Sequence, residues 1–353
     1  MSHLPTSAQD EELLNRWQQR FPICAEPFTE LAKALGLSDG DAVMARLQRL
    51  CEQGSLSRIG GIWGARAAGA GLLCAMAVPP AQLEALAQRV NAMPGVNHNY
   101  EREHYFNLWF VITGPDMDCL AQELAELEQQ CGLEILRLPM ERAYRINLGF
   151  DLKDPHGVNC AARGSDLHAA QPTAQAPASQ GRRVAAEERS LAACVEQGLP
   201  LLPRPYAAWA EAVGWPEQRV LRTLQTWLDH GVLRRFGVIV RHHELGFAAN
   251  AMCVFDVPDD QVDAHAALLA RQPGVTLCYR RSRANQWPYN LYCMVHGRAR
   301  EEVQQWLSQA REVAGLQAFP QAVLFSRRRF KQCGPSYFRQ PVKAIQTEAG
   351  HYA

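Results

Sequence analysis

The chain is a duplication. Laying the second half over the first brings Arg58-Ile59-Gly60 onto Arg235-Phe236-Gly237, Gly69 onto Gly246, Val78-Pro79 onto Val257-Pro258, and Pro94-Gly95-Val96 onto Pro273-Gly274-Val275. Further on, Asn107-Leu108-Trp109 falls on Asn290-Leu291-Tyr292 and Gly114 on Gly297, with an offset that grows by small insertions. Ordered matches with a slowly drifting offset mark a repeated folding unit. Whatever the first half folds into, the second must fold into as well.

Each half carries two kinds of local pattern. In the first half, Glu12 to Phe21, Thr29 to Leu35 and Asp39 to Gln53 read as helices. The third has Val43, Leu47 and Leu50 on one apolar face, Ser38 or Asp39 as a cap, and Gly54 at its C′ position. With the strand-like Leu56-Ser57-Arg58-Ile59-Gly60 behind them, these make a winged helix-turn-helix. Then come a strand from Leu72 to Val78, a helix from Pro80 to Asn91, strands from Val96 to Glu101 and Asn107 to Thr113, a helix from Met117 to Cys131, and a strand from Glu134 to Leu138. That order, βαββαβ, is ferredoxin-like. The second half repeats the plan with helices at Ser190 to Gln197, Tyr206 to Val213 and Glu217 to His230, a strand from Val232 to Val240, and the same alternation from Ala251 to Phe325.

Between the copies, residues 159–183 are rich in Ala, Gln, Ser and Pro and have too few large apolar side chains to order themselves. The resulting division is a winged helix-turn-helix at 10–66, a ferredoxin-like domain at 67–155, a linker at 156–184, a second winged helix-turn-helix at 185–243 and a second ferredoxin-like domain at 244–340. The fold class is therefore α+β in tandem duplication.

Composition excludes several functions. Basic and acidic side chains balance at 36 each, which leaves no overall attraction to phosphate. The polar N-terminus and the lack of any run approaching the roughly 20 apolar residues of a membrane helix give an expectation of a cytoplasmic protein without membrane contact. The 11 cysteines are scattered, with no CxxC pair, so no metal site of the protein's own is expected.

A winged helix-turn-helix followed by a ferredoxin-like sandwich resembles the Lrp/AsnC regulators, whose ligand domains dimerise and bind small molecules near their interfaces. Three runs narrow the resemblance. They are Asn99-Tyr100-Glu101-Arg102-Glu103-His104-Tyr105-Phe106-Asn107-Leu108-Trp109-Phe110, then Arg241-His242-His243-Glu244-Leu245-Gly246-Phe247, and then Trp287-Pro288-Tyr289-Asn290-Leu291-Tyr292-Cys293-Met294-Val295-His296-Gly297. Together they resemble the siroheme decarboxylases that lead to haem d1 or haem, in the fused form that joins two related halves. The resemblance implies an Lrp-like enzyme that converts two acetate arms of siroheme into methyls, giving didecarboxysiroheme. It implies siroheme as the bound partner and related decarboxylase subunits as further partners. The halves are expected to pair as a pseudo-dimer within the chain or across a homodimer.

Such chemistry needs the carboxylate held, the departing electrons spread into the macrocycle, and a proton delivered to the new carbon. No organic cofactor is required, because the π-system and the iron belong to the substrate. Histidine is the usual proton donor near neutral pH. His104 and His242 are the candidate catalytic residues; His104 has Trp287 as its counterpart, and His242 and His243 align with Ala65 and Arg66. One complete set of histidines thus draws on both copies. His243 is assigned to substrate binding, since neighbours on a strand face opposite ways. His98 is read as a strand-end residue. Whether a histidine donates a proton, ligates the iron or is structural stays open at this level.

Siroheme carries many carboxylates, which calls for arginine. Arg102, Arg241, Arg280, Arg281 and Arg283 lie in or beside the motif strands, with Arg58, Arg66, Arg142, Arg145 and Arg327-Arg328-Arg329 as further candidates. Each is also compatible with an ordinary surface charge. Trp287, within the aromatic set Tyr105, Phe106, Trp109, Tyr289 and Tyr292, can wall a flat ring or simply fill a core.

The competing function is a ligand-sensing transcription regulator. The third helices argue against it: Arg46 and Arg49 stand beside Asp41 and Glu52, and Arg219 and Arg222 beside Glu217 and Asp229. Trp63 and Gly64 occupy the place of a basic wing. A groove-reading helix normally carries more base- and phosphate-contacting side chains, so no DNA binding is expected.

Overall fold

The computed structural model describes residues 7–64, 67–146, 182–240 and 249–339. Arg241, His242, His243, Ala65, Arg66 and the expected linker up to residue 181 lie outside the described residues.

The first copy runs α1 (Ala8–Arg16), α2 (Pro27–Leu35), α3 (Gly40–Glu52), β1 (Leu56–Trp63), β2 (Ala70–Met76), α4 (Leu83–Ala92), β3 (Val96–Arg102), β4 (Leu108–Gly114), α5 (Met117–Cys131) and β5 (Leu136–Ile146). The second runs α6 (Arg189–Gln197), α7 (Pro205–Val213), α8 (Glu217–Asp229), β6 (Leu233–Val240), β7 (Ala249–Phe255), α9 (Val262–Leu269), β8 (Val275–Arg281), β9 (Leu291–Gly297), α10 (Arg300–Val313) and β10 (Gln321–Gln332). Two expectations shift. The first helix starts and ends earlier than the apolar spacing suggests, because Ser7 and Asp10 form a capping box that fixes its first turn. The strand expected to stop at Leu138 continues to Ile146.

The described residues group into two units, one made of the helical parts of both copies and the other of both sandwiches. Like pairs with like because the strands pair across copies. In the helical unit, β1 and β6 run antiparallel with Gly60 opposite Gly237. These glycines allow the close approach of a helix end: a Cβ on Gly237 would lie 2.2 Å from the Trp17 carbonyl oxygen, and one on Gly60 would lie 2.9 Å from that of Val195.

In the sandwich unit, eight strands close a barrel in the order β10-β3-β4-β2-β5-β8-β9-β7. Closure depends on the two long strands. β5 pairs with β2 of its own copy through Leu136–Pro139, then with β8 of the other copy from Met140 on. β10 does the same, pairing with β7 through Phe325 and with β3 from Ser326. In this chain the two sandwiches thus pair with each other through β5 and β10.

Alternation along the strands sorts the core. Leu108, Phe110 and Ile112 of β4 pack under α4 and α5, and Leu291, Cys293 and Val295 of β9 pack under α9 and α10. Between them, Trp109 and Tyr292 point the other way, into a third cluster with Ala75, Leu138, Met252, Val254, Trp287 and Leu324. This cluster draws on both copies and lies inside the barrel. Each fully buried large side chain contributes roughly 1.5–3 kcal/mol.

Candidate active site

The matched asparagines fix the strand ends from which the site is built. Asn107 accepts the Val78 N–H and donates its amide to the Val78 carbonyl, and Asn290 treats Val257 in the same way. Their carbonyls accept the N–H groups of Arg102 and Arg281. The last residues of β3 and β8 are thereby held in register at equivalent places.

Arg102 and Arg281 face the barrel interior. Arg102 is 7% exposed, donates from Nη1 to the Leu324 carbonyl at 3.1 Å and reaches Asn250 Oδ1 at 3.5 Å. Its guanidinium lies 5.4 Å from the centre of the Tyr100 ring. Arg281 donates to the Leu138 carbonyl at 2.7 Å and lies 5.3 Å from the Tyr279 ring and 5.8 Å from that of Tyr292. In both, Nε is buried without a hydrogen-bond partner, and no carboxylate among the described residues pairs with either. Burial pulls Arg102 down to about 10 and lowers Arg281 as well, yet at neutral pH a group at that value remains a cation. An uncompensated cation inside a protein is costly, so these positions are suited to an anion that arrives with a ligand.

His104 lies on the loop after β3. Its Nδ1 accepts the Phe106 N–H at 3.1 Å, which leaves the ring proton of the neutral form on Nε2. The ring stands edge-on to Trp287 at 5.3 Å and near-parallel to Phe106 at 6.2 Å. Burial lowers its pKa from the ordinary histidine value. Trp287, 1% exposed, donates from Nε1 to Tyr292 Oη at 2.6 Å and packs on Trp109 at 5.0 Å and on Tyr289 at 4.9 Å. It is both the wall beside His104 and the centre of the interior cluster. Tyr105, by contrast, is 72% exposed.

Arg329 stands opposite Tyr100 and donates to Gln332 Oε1 at 3.3 Å, while the other described candidate arginines are engaged elsewhere. Arg280 bridges Glu141 and Asp259, and Arg283 grips Asp256, Asp259 and the carbonyls of Val257 and Pro288. Arg142 pairs with Asp263, and Arg145 donates to the Ala270 and Gln272 carbonyls. Arg328 pairs with Glu84 and Glu101, and Arg327 with Glu101 and Glu103. Arg58 belongs to the helical unit. The structure thus brings Arg102, Arg281, His104 and Trp287 to the barrel interior and its rim.

Sequence reasoning missed other interior residues. His98 is a mid-strand residue that stacks on Tyr100 at 6.4 Å, and burial together with Arg102 pushes its pKa down to about 4. Tyr100 donates to Gln332 Oε1, and Ser326 donates to Asn250 Oδ1 at 2.7 Å. The alternation that sorts β4 would have placed His98, Tyr100 and Arg102 on one face. Nothing in the sequence announces that β10 crosses to β3.

Two family models cover most of the chain. The siroheme decarboxylase NirDL-like HTH domain matches residues 10–56 and 188–234, and the AsnC-like ligand binding domain matches 68–145 and 244–331. The siroheme decarboxylase NirDL subunit of Paracoccus denitrificans (strain Pd 1222) is 39% identical over 92% of this chain and 96% of its own. The siroheme decarboxylase NirD subunit of Stutzerimonas stutzeri is 52% identical over 42% of this chain and 97% of its own, so it corresponds to one copy. A crystal structure of the siroheme decarboxylase NirDL in co-complex with an iron-uroporphyrin III analogue superposes with a TM-score of 0.65 at 27% identity, covering 94% of this chain and 93% of that one.

Proposed function

The chain belongs to the siroheme decarboxylase family, in the form that carries two related halves in one polypeptide, and we propose that it decarboxylates siroheme acetates inside its barrel. Arg102 holds a substrate carboxylate, and His104 serves the proton transfer. In each step the bond between the methylene carbon and the carboxyl carbon breaks. Its electron pair passes into the pyrrole system, carbon dioxide leaves, and a proton on the methylene carbon completes a methyl. Iron and macrocycle are the substrate's own, so the scheme requires no further cofactor.

The observation that carries the reading is the uncompensated, buried guanidinium of Arg102, two residues from His104. An arriving carboxylate neutralises that charge, which favours binding of the anionic arm. The same carboxylate favours the imidazolium form of His104, offsetting the burial that keeps the free ring neutral. Protonation must break the bond from the Phe106 N–H to Nδ1, so charging the donor is tied to occupancy of the site. Iron ligation through Nε2 would break that same bond, since it also requires the proton on Nδ1, so the bond bears equally on both roles. Arg281 holds the equivalent position on the opposite flank, and Trp287 walls the ring. Both flanks come from one chain, so the reading needs no second subunit; related subunits remain outside the scheme.

Anaerobic incubation of the protein with siroheme, followed by mass spectrometry, is expected to give products lighter by one and by two carbon dioxide units. Siroheme that binds and is recovered with its mass intact would sink the reading.

A further inference from the structure

The loop that carries His104 and its counterpart in the second copy are closed alike but braced differently. In the first copy the Arg102 N–H bonds the Asn107 carbonyl at 2.8 Å around residues 103–106, and in the second the Arg281 N–H bonds the Asn290 carbonyl at 2.9 Å around residues 282–289. The longer loop braces itself, because Ala284 and Trp287 exchange two N–H to carbonyl bonds of 3.0 Å. The shorter one is braced from outside.

Its first residue, Glu103, donates its N–H to the Phe325 carbonyl at 2.9 Å. The Glu103 carboxylate takes both prongs of Arg300, Nη1 to Oε1 and Nη2 to Oε2, each at 2.8 Å. That guanidinium also lies 3.8 Å from the centre of the Phe325 ring. Backbone and side chain of Glu103 are therefore both tied to Phe325, directly and through Arg300. Arg327, at 3.9 Å, is a looser neighbour. Arg300 opens α10 and Phe325 lies on β10, so second-copy residues grip the residue that precedes His104 of the first. The His104 N–H in turn donates to the Arg102 carbonyl at 3.0 Å, and its ring accepts from Phe106.

The duplication supplies the comparison. Ser282 matches Glu103, since its N–H donates to the Pro139 carbonyl as that of Glu103 does to Phe325. Pro139 thus takes the place of Phe325, and Met117, which opens α5, takes that of Arg300. A serine, a proline and a methionine offer no anion, no aromatic face and no cation. Among the described residues the clamp stands on the loop with the histidine and is missing from its counterpart.

We propose that Arg300 is a positioning residue for the decarboxylation: its grip on Glu103 fixes the place of His104, so that one copy supplies the proton donor and the other aims it. This rests on the siroheme reading and on the role of His104 given above. An ion pair this exposed adds little to stability, whereas a two-pronged grip fixes direction. Direction is what proton transfer needs, since a misplacement of about 1 Å can cost about 10²-fold in rate.

The test is anaerobic steady-state decarboxylation of siroheme, with urea unfolding measured alongside. Arg300→Met, which copies α5, should lower kcat about 10- to 10²-fold while KM stays within about twofold and the urea midpoint holds. Arg300→Lys keeps the charge but only one prong and should recover part of the loss. Glu103→Gln combined with Arg300→Met should fall no further than either change alone. In a His104→Ala background, Arg300→Met should leave the residual rate where it was, which a merely structural role would still lower. A kcat for Arg300→Met within about threefold of the natural chain, a loss carried by KM or by the urea midpoint, or a further fall in the His104→Ala background overturns the proposal. If His104→Ala turns over normally, or no protein releases carbon dioxide from bound siroheme, the failure belongs to the proposed function and the positioning claim falls with it.

Discussion

His104 and Trp287, which hold the same place in the two copies, meet edge to face at 5.3 Å inside one chain. The duplication therefore does more than build two equal sites. It brings a histidine from one copy against its own diverged counterpart from the other, at a place where burial lowers the histidine pKa.

From this contact His104→Ala is expected to lose turnover by about 10²- to 10⁴-fold, the usual share of a positioned proton donor. Siroheme affinity, read by the shift of its absorption bands on titration, should change little because the arginines are untouched. Turnover within a factor of three of the natural protein would remove His104 from the proton transfer.

Asn290 closes a pair of hydrogen bonds with the backbone of Val257 and is 1% exposed. Asn290→Ala leaves the Val257 N–H without a partner at a cost of roughly 1–3 kcal/mol, while the Val257 carbonyl keeps its bond from Arg283. The urea midpoint of unfolding should fall accordingly. Asn107→Ala should act in the same direction, because it makes the same pair of bonds with Val78.

His98 should make the protein acid-sensitive. Burial and Arg102 depress its folded pKa to about 4, so the folded state binds fewer protons than the unfolded one. The stability this supplies is present above the ordinary histidine value near 6.5 and is lost as pH falls through about 4. Replacing it by the residue the second copy uses, His98→Leu, should flatten that limb by on the order of 2 kcal/mol between pH 7 and pH 4.5. Denaturation midpoints of both proteins at the two pH values give the comparison; parallel losses would show that His98 does not titrate this way.

DNA binding should be absent at ordinary salt. Arg46, the best placed cation of α3, is already held by Asp10, Ser7 and Gln9. Freeing it for phosphate would break a partly buried ion pair and loosen the start of α1. A labelled duplex carrying the chain's own upstream sequence, titrated between low and physiological salt, should show no binding whose strength falls steeply with salt. A steep salt slope would revive the regulator reading.

The sequence by itself determined the repeat, the order of helices and strands, and the candidate histidine and arginines, because these are written in local periodicity and matched motifs. Arg102, Arg281, His104 and Trp287 were all legible in or beside the motif runs. Their separation from Arg280 and Arg283 was not, since an arginine's role depends on whether Asp256, Asp259 or Glu141 reaches it, and that is decided in space. The long β5 and β10 were hidden for a related reason. Each belongs to two sheets in turn, so no single periodic pattern covers its length. Only barrel closure puts Asn250 and Leu324 beside Arg102, and Phe325 beside the loop of His104. Sequence fixes which residues the two copies share, and tertiary pairing decides which copy's residues each arginine faces, because strand crossing joins positions that no local signal links.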